Sequence, residues 1–490
     1  MAKRFEPILV AVFALGLCYQ MFWPTMLGLA DSGDYPRVMS WVGLVPAGDA
    51  ARDKFKFVHR MYLFERSPFV AFPANLYFVR FHYAFLTSEA VLAGVAAMAD
   101  RVVSRSPRFD LRELGAVQAA ALILALALVW KALRVAPWPA RLVAMLLLAL
   151  VFLDSCYVVY LNSFYSEPAS LIFFLAAIGW FALLVQSRGA GWQYLIWGIV
   201  ASALFVLAKP QNAPCGLLLA GFLVLVTRQK DFRRFWVPTA CACVALLVVA
   251  GAEYSLQPQW LHYQNIFNMV IRQVLRNSPA PEQEAPELGL SPEFVHDYCL
   301  GPNVPSYPPQ GEPFRSQFFN RVNYGKVLGY YLRRPSRLYR LAKRTEGNLF
   351  LMRTDYLGNY EESSGRPPGA QSHSLALWST LKARCLPRSI AFLAAFLLVN
   401  GFLAVVGARR LPTTEAKLLS ALFGMIVLVA AAEYACCLIG EGGEDLIKHL
   451  FGFNNAIDLM LVADVALSFQ LGWTIIGRLG RRNTGQRIVD

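Results

Sequence analysis

Residues 7–37 read PILVAVFALGLCYQMFWPTMLGLADSGDYPR, an apolar run that ends in a compact polar cluster. A transmembrane helix needs about 20 mostly apolar residues, and residues 7–27 meet that requirement. The cluster from Asp31 to Arg37 brings two carboxylates, a tyrosine and an arginine to the point where the chain leaves the membrane. Charged groups at membrane depth are costly, so this cluster is a candidate functional site. The alternative is a solvated loop in which Asp31 or Ser32 caps the helix that follows.

The composition indicates a polytopic membrane protein. Of the 490 residues, 56% are hydrophobic and 16% are charged, whereas soluble domains are about a quarter charged. The net charge is +14, but the cations lie mainly at helix ends and in short loops. The expected partner of these cations is therefore the lipid bilayer and not nucleic acid. Most of the nine cysteines lie in apolar spans, while Cys299 and Cys385 fall in a polar segment and could form a disulfide.

The apolar runs predict an all-α polytopic protein with about ten transmembrane helices. We divide the chain into a transmembrane module (1–254) with a long first outer loop (31–113), a polar segment (255–387) and a second transmembrane module (388–490). The polar segment is expected to form a small α-rich outer domain. Residues 7–27 are too long for a typical signal core, so no cleavable signal is expected. The predicted spans are 7–27, 114–133, 142–161, 168–185, 192–208, 215–226, 236–254, 389–406, 418–439 and 455–476.

Positive charges in the short loops give the predicted orientation. One set of loops carries arginines and lysines such as Arg134, Arg228 and Arg409, and this set is expected to be cytoplasmic. Both termini then lie inside, and both long polar regions face outward. The weak apolar stretch 90–98 is not counted as a span, because counting it would place the arginine-rich loops outside.

Three further patterns describe the long polar regions. Aromatic residues alternate with cations in 54–66 and 75–85, which is typical of helices that lie in the membrane interface. Residues 260–276 show the spacing of an amphipathic helix, and the proline-rich stretch 279–313 is expected to lack regular structure. The basic helical stretch 324–343 is interpreted as a solvated face lying on anionic headgroups.

Four short polar clusters fall on the predicted outer side. They are DSGDYPR (31–37), NSFYSEP (162–168), AKPQNAP (208–214) and GEGGEDLIKHLFGFNN (440–455). Together they indicate a cavity at the membrane interface that holds both acids and cations. Transfer of a sugar from a lipid phosphate needs a carboxylate as general base and cations or donors for the departing phosphate.

The cluster residues provide both kinds of group. The acids are Asp34, Asp31 and Glu167, and the cations are Arg37, Lys209, Lys448 and His449. The chain has no GxxxxGK[ST] motif, so the activated lipid itself would supply the energy. No cofactor is predicted with certainty. Asp31 and Asp34 could bind a divalent cation, although two carboxylates do not make a cage.

A set of short motifs, in this order and spacing, resembles the GT-C superfamily of membrane glycosyltransferases. More narrowly, the chain looks like the WsfD-like glycan biosynthesis hexose transferase family, and the resemblance covers most of the chain. The motifs are SGDYPRV (32–38), NSFYSEP (162–168), AKPQN (208–212), YQNIFNMVIR (263–272), SPAPEQEAPELGL (278–290), YLRRPSRL (331–338), TDYLGNYE (354–361) and KHLFGFNN (448–455).

The resemblance implies transfer of a hexose from a polyprenyl-phosphate donor to a cell-surface glycan or a lipid-linked acceptor. It implies an integral protein of a bacterial cytoplasmic (inner) membrane, with an active site on the outer face, that acts in cell wall or surface polysaccharide biosynthesis. The first-loop acid would be the catalytic base, and Asp34 matches best with Asp31 in reserve. The candidate substrate-binding residues are Arg37, Tyr165, Glu167, Lys209, Gln211, Lys448 and His449.

Two other functions are compatible with the sequence. A transporter or flippase would carry ionisable residues near the middle of its spans, and Asp154 and Asp464 are the main residues of this kind. A scaffold for glycan assembly would need no outer acids at all. The clustering of polar residues on one face favours surface chemistry over both.

Overall fold

The apolar runs form long helices in the computed structural model, which describes residues 2–48, 53–78, 85–299, 305, 308–309, 311–312, 314–440 and 445–483. Within these residues, eight helices are long and apolar enough to cross a membrane, and nine if one bent pair counts as a single span. The predicted all-α polytopic fold is therefore confirmed, with fewer full spans than the ten expected. The chain is an integral membrane protein.

The helices of the N-terminal part are joined by short loops and by a long first loop. They are α1 (Ala2–Phe22), α2 (Pro36–Met39), α3 (Pro68–Phe78), α4 (Glu89–Val103), α5 (Leu111–Ala132), α6 (Trp138–Phe152), α7 (Ser155–Leu161), α8 (Glu167–Gln186), α9 (Trp192–Val206), α10 (Cys215–Thr227) and α11 (Trp236–Ser255).

The polar segment and the C-terminal part follow. The polar segment holds α12 (Gln259–Phe267), α13 (Pro281–Leu288), α14 (Pro292–Tyr298), α15 (Tyr324–Arg333), α16 (Pro335–Thr345) and α17 (Leu377–Cys385). The C-terminal part holds α18 (Ile390–Arg410), α19 (Thr414–Gly440), α20 (Leu446–His449) and α21 (Phe451–Asn483).

Helix α8 lies at the centre of the bundle. Its apolar residues cover the whole circumference, and nearly all of them are buried, as expected for a helix packed on every side. Helices α5 and α9 pack along it. Pro168 lies at the start of α8, where its missing N–H costs no hydrogen bond. Glu167 in the same turn is therefore held at a fixed position at the end of the bundle.

Two of the predicted spans are not straight helices of full length. The span predicted over 142–161 is bent, because α6 and α7 meet at an angle of 60°, and together they form either one broken span or a re-entrant pair. Asp154 causes the break: its backbone is extended and its side chain accepts a hydrogen bond from the N–H of Cys156. The span predicted over 192–208 is shorter in the structure, where it forms the 15-residue helix α9.

The first loop contains a small antiparallel sheet in place of one predicted interfacial helix. Strands β1 (Leu44–Pro46), β2 (Met61–Phe64) and β3 (Arg108–Asp110) pair in the order β1-β2-β3. Tyr62 is buried whereas Leu63 is exposed, so this part of the aromatic run alternates with the period of a strand. In the second aromatic run, residues 75–78 belong to α3, and residues 79–84 lie outside the described residues.

The stretch 90–98, which was not counted as a span, lies within α4. This helix is not among the eight long apolar helices of the described chain. Its buried face packs against α2, α3 and α5.

The polar segment has its own apolar core, built around residues such as Phe267, Phe294, Phe318 and Tyr330. The amphipathic pattern over 260–276 gives α12 and the π-helical turn Asn268–Leu275, whose apolar side chains face this core. The prediction that 279–313 lacks regular structure is wrong for its described residues, because α13 and α14 lie there. Prolines begin both helices, a position that proline tolerates well.

The basic stretch 324–343 is also more than a solvated face. It divides into α15 and α16 at Arg334, which precedes a proline and leaves the helical conformation. Arg334 forms ion pairs with Glu284 and Glu287, and Arg337 pairs with Glu284. These arginines therefore connect α16 to α13 inside the polar segment.

Candidate functional site

The first loop brings Asp34 and Arg37 together through a tight turn. Asp31 Oδ1 accepts hydrogen bonds from the N–H groups of Gly33 (2.7 Å) and Tyr35 (3.1 Å). Gly33 has a φ of 105°, a conformation that glycine adopts without strain. Asp31 therefore holds the turn before α2, as the solvated-loop alternative suggested. Asp34 is left to form an ion pair of 2.8 Å with Arg37.

Lys448 reaches Asp34 from the distant helix α20. Its Nζ lies 2.8 Å from Asp34 Oδ2 and 2.7 Å from Asp445 Oδ2. The lysine side chain is only 5% exposed, and its ammonium lies 5.2 Å from the centre of the Tyr165 ring. The Tyr165 hydroxyl donates to the carbonyl of Ala30 and accepts from the N–H of Ser32, both at 2.8 Å. The loop before α8 is thus joined to the first loop.

The charges of this cluster compensate one another. Burial alone would raise the pKa of Asp34, but Arg37 and Lys448 outweigh burial and hold that pKa well below its usual range. Burial would likewise lower the pKa of Lys448, but Asp34 and Asp445 hold it well above its usual range. Burial raises the pKa of Asp31 despite its hydrogen bonds to Tyr35 and Gly33. With both cations in place, Asp34 is ionised, and its low pKa makes it a weak base.

A second ion pair lies beside the first. Lys209 Nζ is 2.8 Å from Glu167 Oε1, and the Glu167 side chain is 2% exposed. Lys209 directly precedes the short 3₁₀ turn Pro210–Asn212. Gln211 in that turn donates to Glu433 Oε2 (2.8 Å) and to the carbonyl of His449 (3.1 Å). The turn therefore connects α8, α19 and α20.

These side chains line one cavity of about 60 Å³. Its volume leaves room for a few water molecules. Every candidate residue except Asp31 lines it, together with residues from the first loop and α12 such as Phe85, Leu261 and Asn265. The candidate residues that the structure brings together are Asp34, Arg37, Tyr165, Glu167, Lys209, Gln211, Lys448 and His449.

Sequence reasoning missed three contributors to this site. Glu433 is fully buried in α19, and a lone acid in an apolar span is a signal that could have indicated it. Asp445 lies in the fourth polar cluster and shares Lys448 with Asp34. Trp260 gave no signal: its ring lies 5.4 Å from the Arg37 guanidinium, whose other aromatic neighbour is Phe85 at 5.7 Å.

The described residues offer no group of three or more histidine, cysteine or acidic side chains arranged to hold a metal ion. Asp31 and Asp34 do not form a shared site, since Asp31 accepts from the backbone while Asp34 pairs with cations. Cys299 and Cys385 are both free, so the disulfide is not formed in this structure.

A separate buried polar cluster lies at the break between α6 and α7. Asp154 accepts hydrogen bonds from the N–H (2.7 Å) and hydroxyl (2.9 Å) of Ser379 in α17, so it is a fully engaged capping residue. Asp458 in α21, which sequence reasoning overlooked, pairs with Lys382 of α17 at 2.6 Å. Both side chains of this pair are inaccessible to solvent. The cluster anchors α17 to the transmembrane bundle.

The comparisons with known proteins give one family and two solved structures. A family model described as the YfdI N-terminal transmembrane domain matches residues 1–483. A search of curated proteins found no match.

Both solved structures are oligosaccharyltransferases from Archaeoglobus fulgidus. AglB in complex with an inhibitory peptide and a dolichol-phosphate is 15% identical with a TM-score of 0.38. The apo form of the oligosaccharyltransferase is 14% identical with a TM-score of 0.39. Each alignment covers 99% of this chain and 53% of the other, so this chain spans about half the length of those proteins.

Proposed function

The chain belongs to the YfdI N-terminal transmembrane domain family, and we propose that it is a membrane glycosyltransferase of the GT-C type. The donor is a polyprenyl-phosphate sugar, and the sugar is a hexose. The acceptor is a glycan or a lipid-linked saccharide on the outer face of the membrane. The WsfD-like assignment stays a prediction.

One observation carries this proposal. Asp34 lies between two cations, Arg37 and Lys448, each 2.8 Å away. Lys209 lines the same cavity and is held by Glu167. Side chains from distant parts of the chain thus place one potential base beside several cations that suit a phosphate.

A phosphate would change the state of this cluster. A bound phosphate diester would compete with Asp34 for Arg37 and Lys448. Because Arg37 and Lys448 would then stabilise the Asp34 carboxylate less, the pKa of Asp34 would rise toward that of an ordinary carboxylate. Asp34 would therefore become a competent base when the donor is in place. The cavity of about 60 Å³ is too small for a sugar, so its walls must open when the donor binds or the sugar must lie at its mouth.

The reaction then runs as a single displacement. An acceptor hydroxyl oxygen forms a bond to the anomeric carbon, while the bond between that carbon and the phosphate oxygen breaks. The Asp34 carboxylate takes the hydroxyl proton. The electron pair leaves with polyprenyl phosphate, whose charge Lys448, Arg37 and Lys209 stabilise.

The test is transfer of radiolabelled hexose from a synthetic polyprenyl-phosphate donor by the full chain in nanodiscs, with membranes of the native host as acceptor. We expect Asp34→Asn to lose activity by about 100-fold or more, the range of a missing general base. Asp31→Asn is the matched control, because Asp31 lies outside the cavity. Full turnover by a folded Asp34→Asn protein would refute the assignment of the base.

A second measurement tests the donor independently. Native mass spectrometry of the protein released from its own membranes should show a bound polyprenyl-phosphate sugar, and its mass would identify the sugar class. Movement of lipid-linked sugar across vesicles without any transfer would favour the flippase instead.

A further inference from the structure

A second pocket lies in the polar segment, apart from the cavity around Asp34. Its volume is about 290 Å³, and it shares no lining residue with that cavity. Residues of the π-helical turn Asn268–Leu275, of α15 and of α16 form its walls. We propose that this basic pocket binds the phosphate of an anionic phospholipid from the surrounding membrane, independently of any sugar transfer. The cations among its described lining residues are Arg337, Arg340, Lys343 and Arg344.

Two of these cations are neutralised within the polar segment. Arg337 pairs with the buried Glu284 of α13, and Lys343 Nζ lies 2.7 Å from Glu346 Oε1. Glu346 Oε2 in turn accepts a hydrogen bond from the N–H of Ile390 (3.3 Å). Helix α16 is therefore held near its start by α13 and just after its end by α18. The walls of the basic pocket thus keep a fixed position.

The other two cations, Arg340 and Arg344, form no ion pair with any described residue. They are four positions apart, so they lie on one face of α16, where like charges repel each other. No acidic side chain is among the described residues that line the pocket. An anion between the two guanidinium groups would relieve this repulsion. Because the guanidinium fork matches phosphate oxygens, a phosphate is the anion that suits the pocket.

The basic pocket lies level with the ends of two transmembrane helices. Gln273 lines it and donates from Nε2 to the carbonyl of Leu438 (2.6 Å), near the end of α19. Glu346, the partner of Lys343, contacts Ile390 at the start of α18. A short loop joins the opposite ends of α18 and α19, so both contacts are on the same side of the membrane. Helices of this length only just cross the hydrocarbon core, which places the pocket at the depth of lipid headgroups.

Exposed apolar side chains on the same two helices favour a lipid over a soluble phosphate. Leu328 and Leu332 of α15 are both exposed, and their spacing puts them on one face of that helix. Tyr339 of α16 lines the basic pocket and is also exposed. Tyrosine is enriched at headgroup depth, where its ring meets apolar chains and its hydroxyl meets water. Acyl chains beside the pocket would cover these side chains, as they cover the apolar face of an interfacial helix.

The experiment measures lipid binding by native mass spectrometry. The full chain is delipidated in detergent and titrated with phosphatidylglycerol, with phosphatidylcholine or with inorganic phosphate. The double variant Arg340→Gln/Arg344→Gln removes the two unpaired charges. The control Arg321→Gln/Arg333→Gln removes the same charge from exposed arginines of the same segment that do not line the pocket. The unfolding midpoint of each variant shows that it is folded.

We expect the wild type to bind the first phosphatidylglycerol at least tenfold more tightly than phosphatidylcholine. A cation near a membrane surface contributes about fivefold in affinity for anionic lipid, so folded Arg340→Gln/Arg344→Gln should lose about 25-fold and the control less than threefold. Equal affinity of the wild type for both lipids, or equal affinity of the wild type and Arg340→Gln/Arg344→Gln for phosphatidylglycerol, would overturn the proposal. Inorganic phosphate that binds as tightly as phosphatidylglycerol would overturn the lipid as the source of the phosphate.

Discussion

Replacing Lys448 by glutamine removes the cation that Asp34 and Asp445 share. The ion pairs are 2.8 and 2.7 Å long, and the lysine side chain is 5% exposed. Removing one partner of a buried ion pair costs about 3–5 kcal/mol, because the remaining charge is left uncompensated. Asp34 keeps Arg37 at 2.8 Å. We therefore expect the lower end of that range, about 3 kcal/mol of unfolding free energy.

The same change should alter the dependence of stability on pH. The folded-state pKa of Asp34 is lowered, so its stabilisation is present above its unfolded pKa of about 4 and is lost as the pH falls below that value. Without Lys448 the pKa of Asp34 rises toward the usual range. The acid-induced loss of stability should thus be smaller in Lys448→Gln than in the wild type.

Donor binding gives the functional measurement. A hydrogen bond to a charged group contributes about 1.5–3 kcal/mol, which corresponds to roughly 10- to 150-fold in affinity. We expect the KM for a polyprenyl-phosphate sugar to rise by this factor in Lys448→Gln and to be partly restored in Lys448→Arg. Unchanged KM and an unchanged unfolding midpoint in Lys448→Gln would refute the reasoning.

Two further perturbations test the neighbouring ion pairs. Glu167→Gln keeps the shape of the side chain but no longer holds Lys209, and we expect kcat/KM for the donor to fall about tenfold, roughly 1.4 kcal/mol. Equal activity would show that Lys209 needs no positioning. Lys382→Met leaves Asp458 charged and buried, so the unfolding free energy should fall by about 3–5 kcal/mol, measured by tryptophan fluorescence on heating. The double variant Lys382→Met/Asp458→Leu should recover most of that loss, and failure to recover would mean that the pair has a further role.

The sequence predicts the helical bundle and the membership of the cavity well. Long apolar runs specify helices such as α8 and α19 whatever their neighbours, because the bilayer leaves the backbone few alternatives. The four polar clusters lie at helix ends on one predicted face, and Asp34, Lys209 and Lys448 do meet there. The predicted membrane topology places these three residues on the same side, which is where the structure brings them together.

Most of the features that the sequence did not predict depend on interactions between residues far apart in the chain. Asp154 at the break also accepts hydrogen bonds from Ser379, more than two hundred positions away. Strand β2 forms because β1 and β3 are available on both sides, which its aromatic composition does not reveal. The role of Asp31 in the turn, and that of Asp34 in the cavity, differ only through the backbone geometry around Gly33. No spacing rule separates two aspartates three positions apart in this way.

The buried pair of Lys382 and Asp458 also has a consequence for the order in which the protein assembles. Lys382 is synthesised before Asp458, so this ion pair cannot form until α21 has been made. Helix α17 therefore docks late, after α21 is in place. A nascent chain stalled before residue 458 should expose α17 to protease, whereas one released after α21 should protect it. Docking of α17 would thus mark the insertion of α21 into the bundle.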